Sequence, residues 1–219
     1  MWVMADVFDF SGMYEKYDRA LLDMNVIDLK DVRGTGLYVD SEGERAIREA
    51  IRDRCSSPVH LIDTGDYHYV TRLFLYDIRE DFDLLVYDHH DDNKPPEFQG
   101  LRSCGSWIKD ALEDMGDTLC SVKLIKGKDD ISFLKGSFDV RRPLYISIDK
   151  DVLDKEICPT NWDQGDMTME EIVGSLKEEI KDRRILGVDI CGGPSGGPGA
   201  KDSDVAKNQM TDMAIIASL

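Results

Sequence analysis

"LLVYDHHDDN", residues 84–93, is a short apolar run that breaks into three aspartates, two histidines and an asparagine. Four to eight β-prone residues closed by charge read as a buried strand that ends at solvent or at a binding site. Working outward, runs of the same kind recur. "WVMADVFDF" (2–10), "VHLIDTG" (59–65), "CSVKLIK" (120–126), "PLYISID" (143–149) and "RILGVDI" (184–190) all read as strands. Between them lie amphipathic stretches. "SEGERAIREAIRDR" (41–54) puts Ala46, Ile47, Ala50 and Ile51 on one helical face, with Ser41 as the expected N-cap. "YVTRLFLYDI" (69–78) and "SWIKDALEDM" (106–115) read as helices, the second capped by Ser106. "TMEEIVGSLKEEIKDR" (168–183) has Thr168 and Glu171 in the spacing of a capping box, and 201–219 closes the chain as a helix. Near-continuous apolar strands alternating with helices imply a mostly parallel sheet covered on both faces, a three-layer α/β/α sandwich. No boundary or repeat divides residues 1–219, which read as a single domain. "GGPSGGPGA" (192–200) reads as a flexible loop.

Composition narrows the function. A formal net charge of −17, from 44 acidic and 27 basic residues, repels phosphate backbones and anionic membrane surfaces. No nucleic-acid and no membrane partner is therefore expected, whereas cations are attracted. No run approaches the ~20 apolar residues of a membrane span, and the N-terminal stretch lacks the basic and apolar regions of a secretory signal. The five cysteines are scattered, with no CxxC pair, so neither a zinc knuckle nor a disulfide framework is indicated. A reduced, cytoplasmic protein is the expectation.

In parallel sheets ligands gather at the carboxyl ends of strands. Three such ends carry ligand-type residues: Asp66 and His68 in "LIDTGDYHYVT", Asp88 to Asp92 in "VYDHHDDN", and Asp149, Asp151 and Asp154 in "YISIDKDVLD". If these ends stay extended, Asp88, His90 and Asp92 share one side, as do Asp149 and Asp151. Two adjacent strand ends then bring together one imidazole and four carboxylates, with His68 adding a second nitrogen. So many like charges need compensation, which a pair of divalent cations supplies. Mixed carboxylate and imidazole donors suit Mn²⁺, with Zn²⁺, Fe²⁺ or Co²⁺ as other divalent metals. Two such ions activate a shared hydroxide at neutral pH.

At this point the chain resembles the ureohydrolases: arginase, agmatinase and formimidoylglutamase. "DHHDD" (88–92) matches their Asp-Ala-His-x-Asp with His89 in the alanine place. "SIDKDVLDK" (147–155) matches Ser-x-Asp-x-Asp-x-x-Asp-Pro with Lys155 for proline, and "TGDYH" (64–68) matches the upstream histidine turn with one extra residue. The resemblance implies the arginase/deacetylase-like α/β/α fold with two Mn²⁺ per chain. Asp88 and Asp149 would bridge them, His68 and Asp92 would complete one ion, and His90 and Asp151 the other. It implies a metal-dependent hydrolase of a linear C–N bond in a guanidino or formimino compound, attacked by the metal-bridging hydroxide. The substrate would be a cationic small molecule. Family members commonly assemble as trimers or hexamers, so a homo-oligomer is carried as an expectation.

The chain departs from the family where the substrate should sit. "NKPPEFQGLRSCGSW" (93–107) lacks the histidine that serves as proton shuttle. Asp163, in "NWDQGDMT" (161–168), stands at about the place of the glutamate that grips the guanidinium, so Asp92 and Asp163 are put forward as the catalytic carboxylates. Gly192 stands where the family usually has a glutamate. Trp162 is either a cation–π wall for a guanidinium or a packing residue. His89 is expected in a supporting role, Asp66 as the orienter of a ligand histidine, and Asp154 as a turn cap. Cys104 has no neighbouring histidine to activate it as a nucleophile. Two other readings remain open. One is a metal-binding member of the fold without turnover. The other is a manganese phosphoesterase of the Asp-His-His type, which would want its Asp-x-Asp pair before rather than after residues 88–90.

Overall fold

The computed structural model describes residues 4–98 and 100–219. Eight strands form one sheet: β1 (Ala5–Asp9), β2 (Met24–Asp28), β4 (Val59–Ile62), β5 (Phe82–Tyr87), β7 (Leu119–Gly127), β8 (Asp130–Lys135), β9 (Leu144–Asp149) and β10 (Ile185–Cys191). A separate antiparallel pair joins β3 (Tyr38–Val39) to β6 (Arg102–Ser103). The helices are α1 (Ser41–Arg54), α2 (Val70–Leu75), α3 (Trp107–Met115), α4 (Met169–Ile180) and α5 (Asp202–Ser218). Across the large sheet the order is β2-β1-β4-β10-β9-β5-β7-β8, parallel throughout except for the β7–β8 hairpin at one edge. Trp2 and Val3, expected to open the first strand, lie outside the described residues.

Alternation along the strands sorts side chains into two cores. Leu144, Ile146 and Ile148 of β9, with Leu85 and Tyr87 of β5, pack against Ile172 and Leu176 of α4 and Val205 and Ile215 of α5. Leu84 and Val86 of β5 and Tyr145 of β9 point the other way, onto Ile47 of α1, Leu73 of α2 and Trp107 and Ile108 of α3. The central strands β5 and β9 are buried at every position. Each such aliphatic residue contributes about 1.5–3 kcal/mol of hydrophobic stabilisation. This is the expected α/β/α sandwich. Among the described residues no helix is long and apolar enough to cross a membrane.

Several local expectations change. The N-cap of α1 is Asp40, whose carboxylate accepts from Glu42 and Gly43 N–H, rather than Ser41. The capping box of α4 forms as expected between Thr168 and Glu171. The glycine-rich loop at 192–200 is packed rather than flexible. A Cβ on Gly193 would lie 2.2 Å from Met13 Sδ, and one on Gly197 would lie 2.5 Å from the Ser11 carbonyl oxygen. Glycine there allows close docking of the loop on the turn after β1.

Candidate metal centre

Because β4, β5 and β9 run parallel, their carboxyl ends open on the same edge of the sheet. Asp88 follows Tyr87 directly, Asp149 is the last residue of β9, and His68 lies in the 3₁₀ turn that leaves β4. The ligand-type residues beyond these ends are not extended. The Asp88 carboxylate accepts from His90 N–H (2.6 Å), and the Asp149 carboxylate accepts from Asp151 N–H (3.0 Å). Each first aspartate thus folds the chain back, so that the residue two places on returns to the same spot. Asp92 closes the first turn with a positive φ of 40°, a conformation that aspartate tolerates better than most residues. Convergence arises from two Asx turns and not from strand alternation.

The result is a buried cluster. His68 Nδ1 lies 3.2 Å from Asp88, 3.3 Å from Asp92 and 3.4 Å from Asp149 carboxylate oxygens. His90 Nδ1 lies 2.8 Å from Asp151 and 3.6 Å from Asp88. His68, Asp88 and Asp92 form one group able to hold a metal ion, and Asp88, His90 and Asp151 form another, so Asp88 belongs to both. His68 Nδ1 and Asp88 Oδ2 are buried without a hydrogen-bond partner. Orphaned buried polar atoms are costly, and two of them facing each other across a carboxylate-lined site fit a cation between them. The donor set of imidazole and carboxylate, without thiolate, fits a hard to borderline divalent ion.

Supporting contacts fix the ligands. His68 Nε2 is 2.8 Å from Ser147 Oγ, which leaves Nδ1 facing the carboxylates. Trp107 Nε1–H donates to Asp92 (3.0 Å), and His89 N–H donates to Asp151 (3.0 Å). His90 Nε2 lies 3.1 Å from Asp163, whose side chain is 79% exposed. Asp163 therefore stands behind His90, on its outer nitrogen, and not in the wall of the pocket. Asp66 does not orient a histidine. It accepts from Asn161 Nδ2 (2.8 Å) and Trp162 Nε1 (2.9 Å), tying the 161–162 loop to the histidine turn. Asp154 caps its turn, accepting from Glu156 N–H at 2.7 Å. The loop carrying Gly192 passes so close that a Cβ there would lie 2.3 Å from Asp149 Oδ1, so no side chain projects from this position. Ser147, Trp107 and Asn161 contact the cluster or its flanking turn without having been singled out by the sequence. Only Ser147 had a usable signal, two residues before Asp149 on the same face of β9.

The electrostatics are strained without a compensating charge. Burial works against ionising Asp88, but His68 and His90 hold it down at about 2. Burial, then Asp151, pushes Asp149 up to about 8. Burial, then Asp88, pushes Asp92 up to about 7 and Asp151 up to about 6. Hydrogen bonding to Asp151, then to Asp88, lifts His90 to about 11. Burial opposes the charging of His68, but Asp88 and Asp92 outweigh it and raise its pKa well above the usual range. Asp149, Asp92 and Asp151 hold their protons to higher pH than ordinary carboxyls, as expected where carboxylates crowd one another, while Asp88 alone stays readily ionised between the two histidines.

A third group of ligand-type residues, Asp6, Cys55 and His60, is already satisfied. Asp6 accepts from Asn25, Ser56 and Ser57, and His60 is bonded to Asp189 (2.7 Å) and the Ser57 carbonyl (2.9 Å). Above the first two groups lies a pocket of about 290 Å³ whose outer walls include Leu37, Tyr38, Lys94, Glu97, Cys104 and Trp162. Burial and then Asp92 push the Cys104 thiol up to about 12, which favours its protonated form.

No family model matches the sequence. An uncharacterised protein of Thermotoga maritima is 30% identical over 200 residues, spanning 86% of this chain and 79% of that protein. Arginase from Medicago truncatula superposes with a TM-score of 0.65 at 16% identity, covering 99% of this chain and 85% of the arginase. The Trypanosoma cruzi formiminoglutamase with Mn²⁺ superposes at 0.59 with 11% identity, over 99% and 93% of the two chains. The chain belongs to one family with the Thermotoga maritima protein, and its fold is that of the ureohydrolases.

Proposed function

We propose that this chain is a divalent-metal hydrolase of a linear C–N bond in a cationic amidine, a guanidino or formimino compound. His68, Asp88, His90, Asp92, Asp149 and Asp151 would hold two ions, Mn²⁺ first among them. The observation that carries the reading is the shared position of Asp88. Its two oxygens face two separate ligand groups, and one of them is orphaned opposite an orphaned His68 nitrogen. A pair of divalent ions in such a site supplies a water-derived nucleophile at neutral pH. The chain's own residues do the rest. Ser147 and Asp163 hold the two histidines with Nδ1 directed inward. The side chains of Asp88, Asp149 and Asp151 are at most 4% exposed, which keeps bulk water from competing for the carboxylates. Trp107 fixes Asp92 against the ligand turn.

A second reading, a metal-binding member of the fold without turnover, is favoured by one observation. Among the described residues the pocket walls offer no histidine other than His90, and Asp163 lies outside them. The test is metal content by mass spectrometry after loading with Mn²⁺ and removal of loose ions, on wild type and Asp149→Ala, followed by a guanidino and formimino panel. Two ions per chain lost in the variant, with urea or ammonia released by wild type, supports the hydrolase. Two ions with no product from any compound supports the second reading. No retained metal refutes both.

A further inference from the structure

Trp162 is a large apolar side chain left 39% exposed at the mouth of the pocket, yet it is pinned. Its indole N–H donates to Asp66 Oδ1 at 2.9 Å. The same oxygen accepts from Asn161 Nδ2 at 2.8 Å, and Asn161 Oδ1 accepts from Gly65 N–H at 3.0 Å. The indole lies so close to the turn that a Cβ on Gly65 would fall 2.7 Å from Trp162 Cδ1. Gly65, Asp66 and Asn161 therefore form a clasp that locks the ring beside the turn carrying His68. The ring also stands 5.7 Å from the His90 ring, centroid to centroid, at 71°. The indole is thus held by one hydrogen bond to Asp66, itself tied through Asn161 to Gly65, while part of the ring's surface stays exposed in the pocket wall.

We infer that Trp162 is a substrate-binding residue that receives a planar, delocalised cation against its indole face, with Asp66 as the residue that positions it. This rests on the amidine reading above and deepens it, because the ring would grip the cation on the same pocket wall as Glu97, while Asp163 lies outside that wall. The electron-rich face of an indole attracts a guanidinium or amidinium through cation–π and stacking contact. It has no such attraction for a neutral urea of the same shape. Recognition of charge would then be separate from metal ligation: His68, Asp88, His90, Asp92, Asp149 and Asp151 would hold the ions that supply the nucleophile, while the ring selects the flat cation.

The test is calorimetric titration of Mn²⁺-loaded full-length protein with methylguanidinium, and with methylurea as the neutral isostere. Metal content is measured on the same samples. Wild type is expected to bind methylguanidinium and not methylurea. Trp162→Phe should stay within about threefold of wild type, and Trp162→Leu should weaken binding about tenfold at unchanged metal content. Asp66→Ala should weaken it too, and Asp66→Asn should restore it, because the amide oxygen still accepts from the indole. Trp162→Leu binding as tightly as wild type overturns the assignment and leaves Trp162 a packing residue. Failure of wild type to bind methylguanidinium also overturns it. In either case the metal content, read independently, decides whether the metal-centre reading survives.

Discussion

Asp149→Asn separates the behaviour of the metal-free site from that of the loaded one. In the metal-free chain burial and Asp151 push the Asp149 carboxyl up to about 8, against an ordinary 3.8. A carboxyl whose folded pKa lies above its unfolded one binds more protons in the native chain across that window. Stability therefore falls as pH rises from about 4 to about 8. At pH 7, with 1.36 kcal/mol for each pH unit above 3.8, the ceiling for this one group is about 4 kcal/mol. Asp92 and Asp151 draw on the same protons, so about 2–4 kcal/mol is expected to distinguish the two proteins. Asparagine removes the charge and keeps an oxygen for the Asp151 N–H that Asp149 now accepts. In chelator-treated protein at pH 7, Asp149→Asn should melt roughly 5–15 °C above wild type for a chain of this size. At pH 4 the two should melt together. Mn²⁺ at about 1,000 times its Kd should bring wild type level with or above the variant at pH 7, since it stabilises by about 4.1 kcal/mol only the chain that binds it. The assay is thermal melting by circular dichroism at the two pH values, with and without Mn²⁺. Equal metal-free melting at pH 7 would refute the claim that these carboxylates crowd one another.

Lys150, between Asp149 and Asp151, buries its ammonium 2.7 Å from Asp212 of α5, with both side chains 1% exposed. Lys150→Met should cost about 3–5 kcal/mol in urea unfolding, because the Asp212 charge is left buried with Tyr17 as its remaining partner. Adding Asp212→Leu should recover much of that loss. Asp163→Ala should weaken Mn²⁺ binding about tenfold by releasing the outer nitrogen of His90, measured by competition with a metal indicator dye. Asp163→Asn should restore part of it through its amide oxygen.

The fold was legible because its centre is chemically uniform. β5 and β9 read as apolar runs because both of their faces are buried, α1 showed one-sided apolar spacing, and α4 carried its capping box. The edges were not. β2, with Asn25 and Asp28 in it, and β8, whose Asp130 and Ile131 face solvent, do not alternate cleanly, since an edge strand is selected by one neighbour and by water. The glycine-rich loop misled for a related reason: its composition resembles a linker, but glycine there permits close packing on Met13 and Ser11.

At the site, the residue types announced a cation, yet their geometry came from a different cause than the spacing suggested. Period-two alternation and an Asx turn both bring residues i and i+2 together, so either would nominate Asp88 with His90 and Asp149 with Asp151. The turn is the stronger device. A strand continued past Asp88 would carry each next ligand a further 3.3 Å per residue along the chain. The turn instead returns it to within hydrogen-bonding reach of the one before. The contacts that sequence spacing could not reach are those that cross between strand ends. Ser147 behind His68, Trp107 behind Asp92 and Asp66 beneath Trp162 join segments between 15 and 96 residues apart. A site of this kind is written locally in its ligands and non-locally in what aims them, so its chemistry can be read from sequence before its selectivity can.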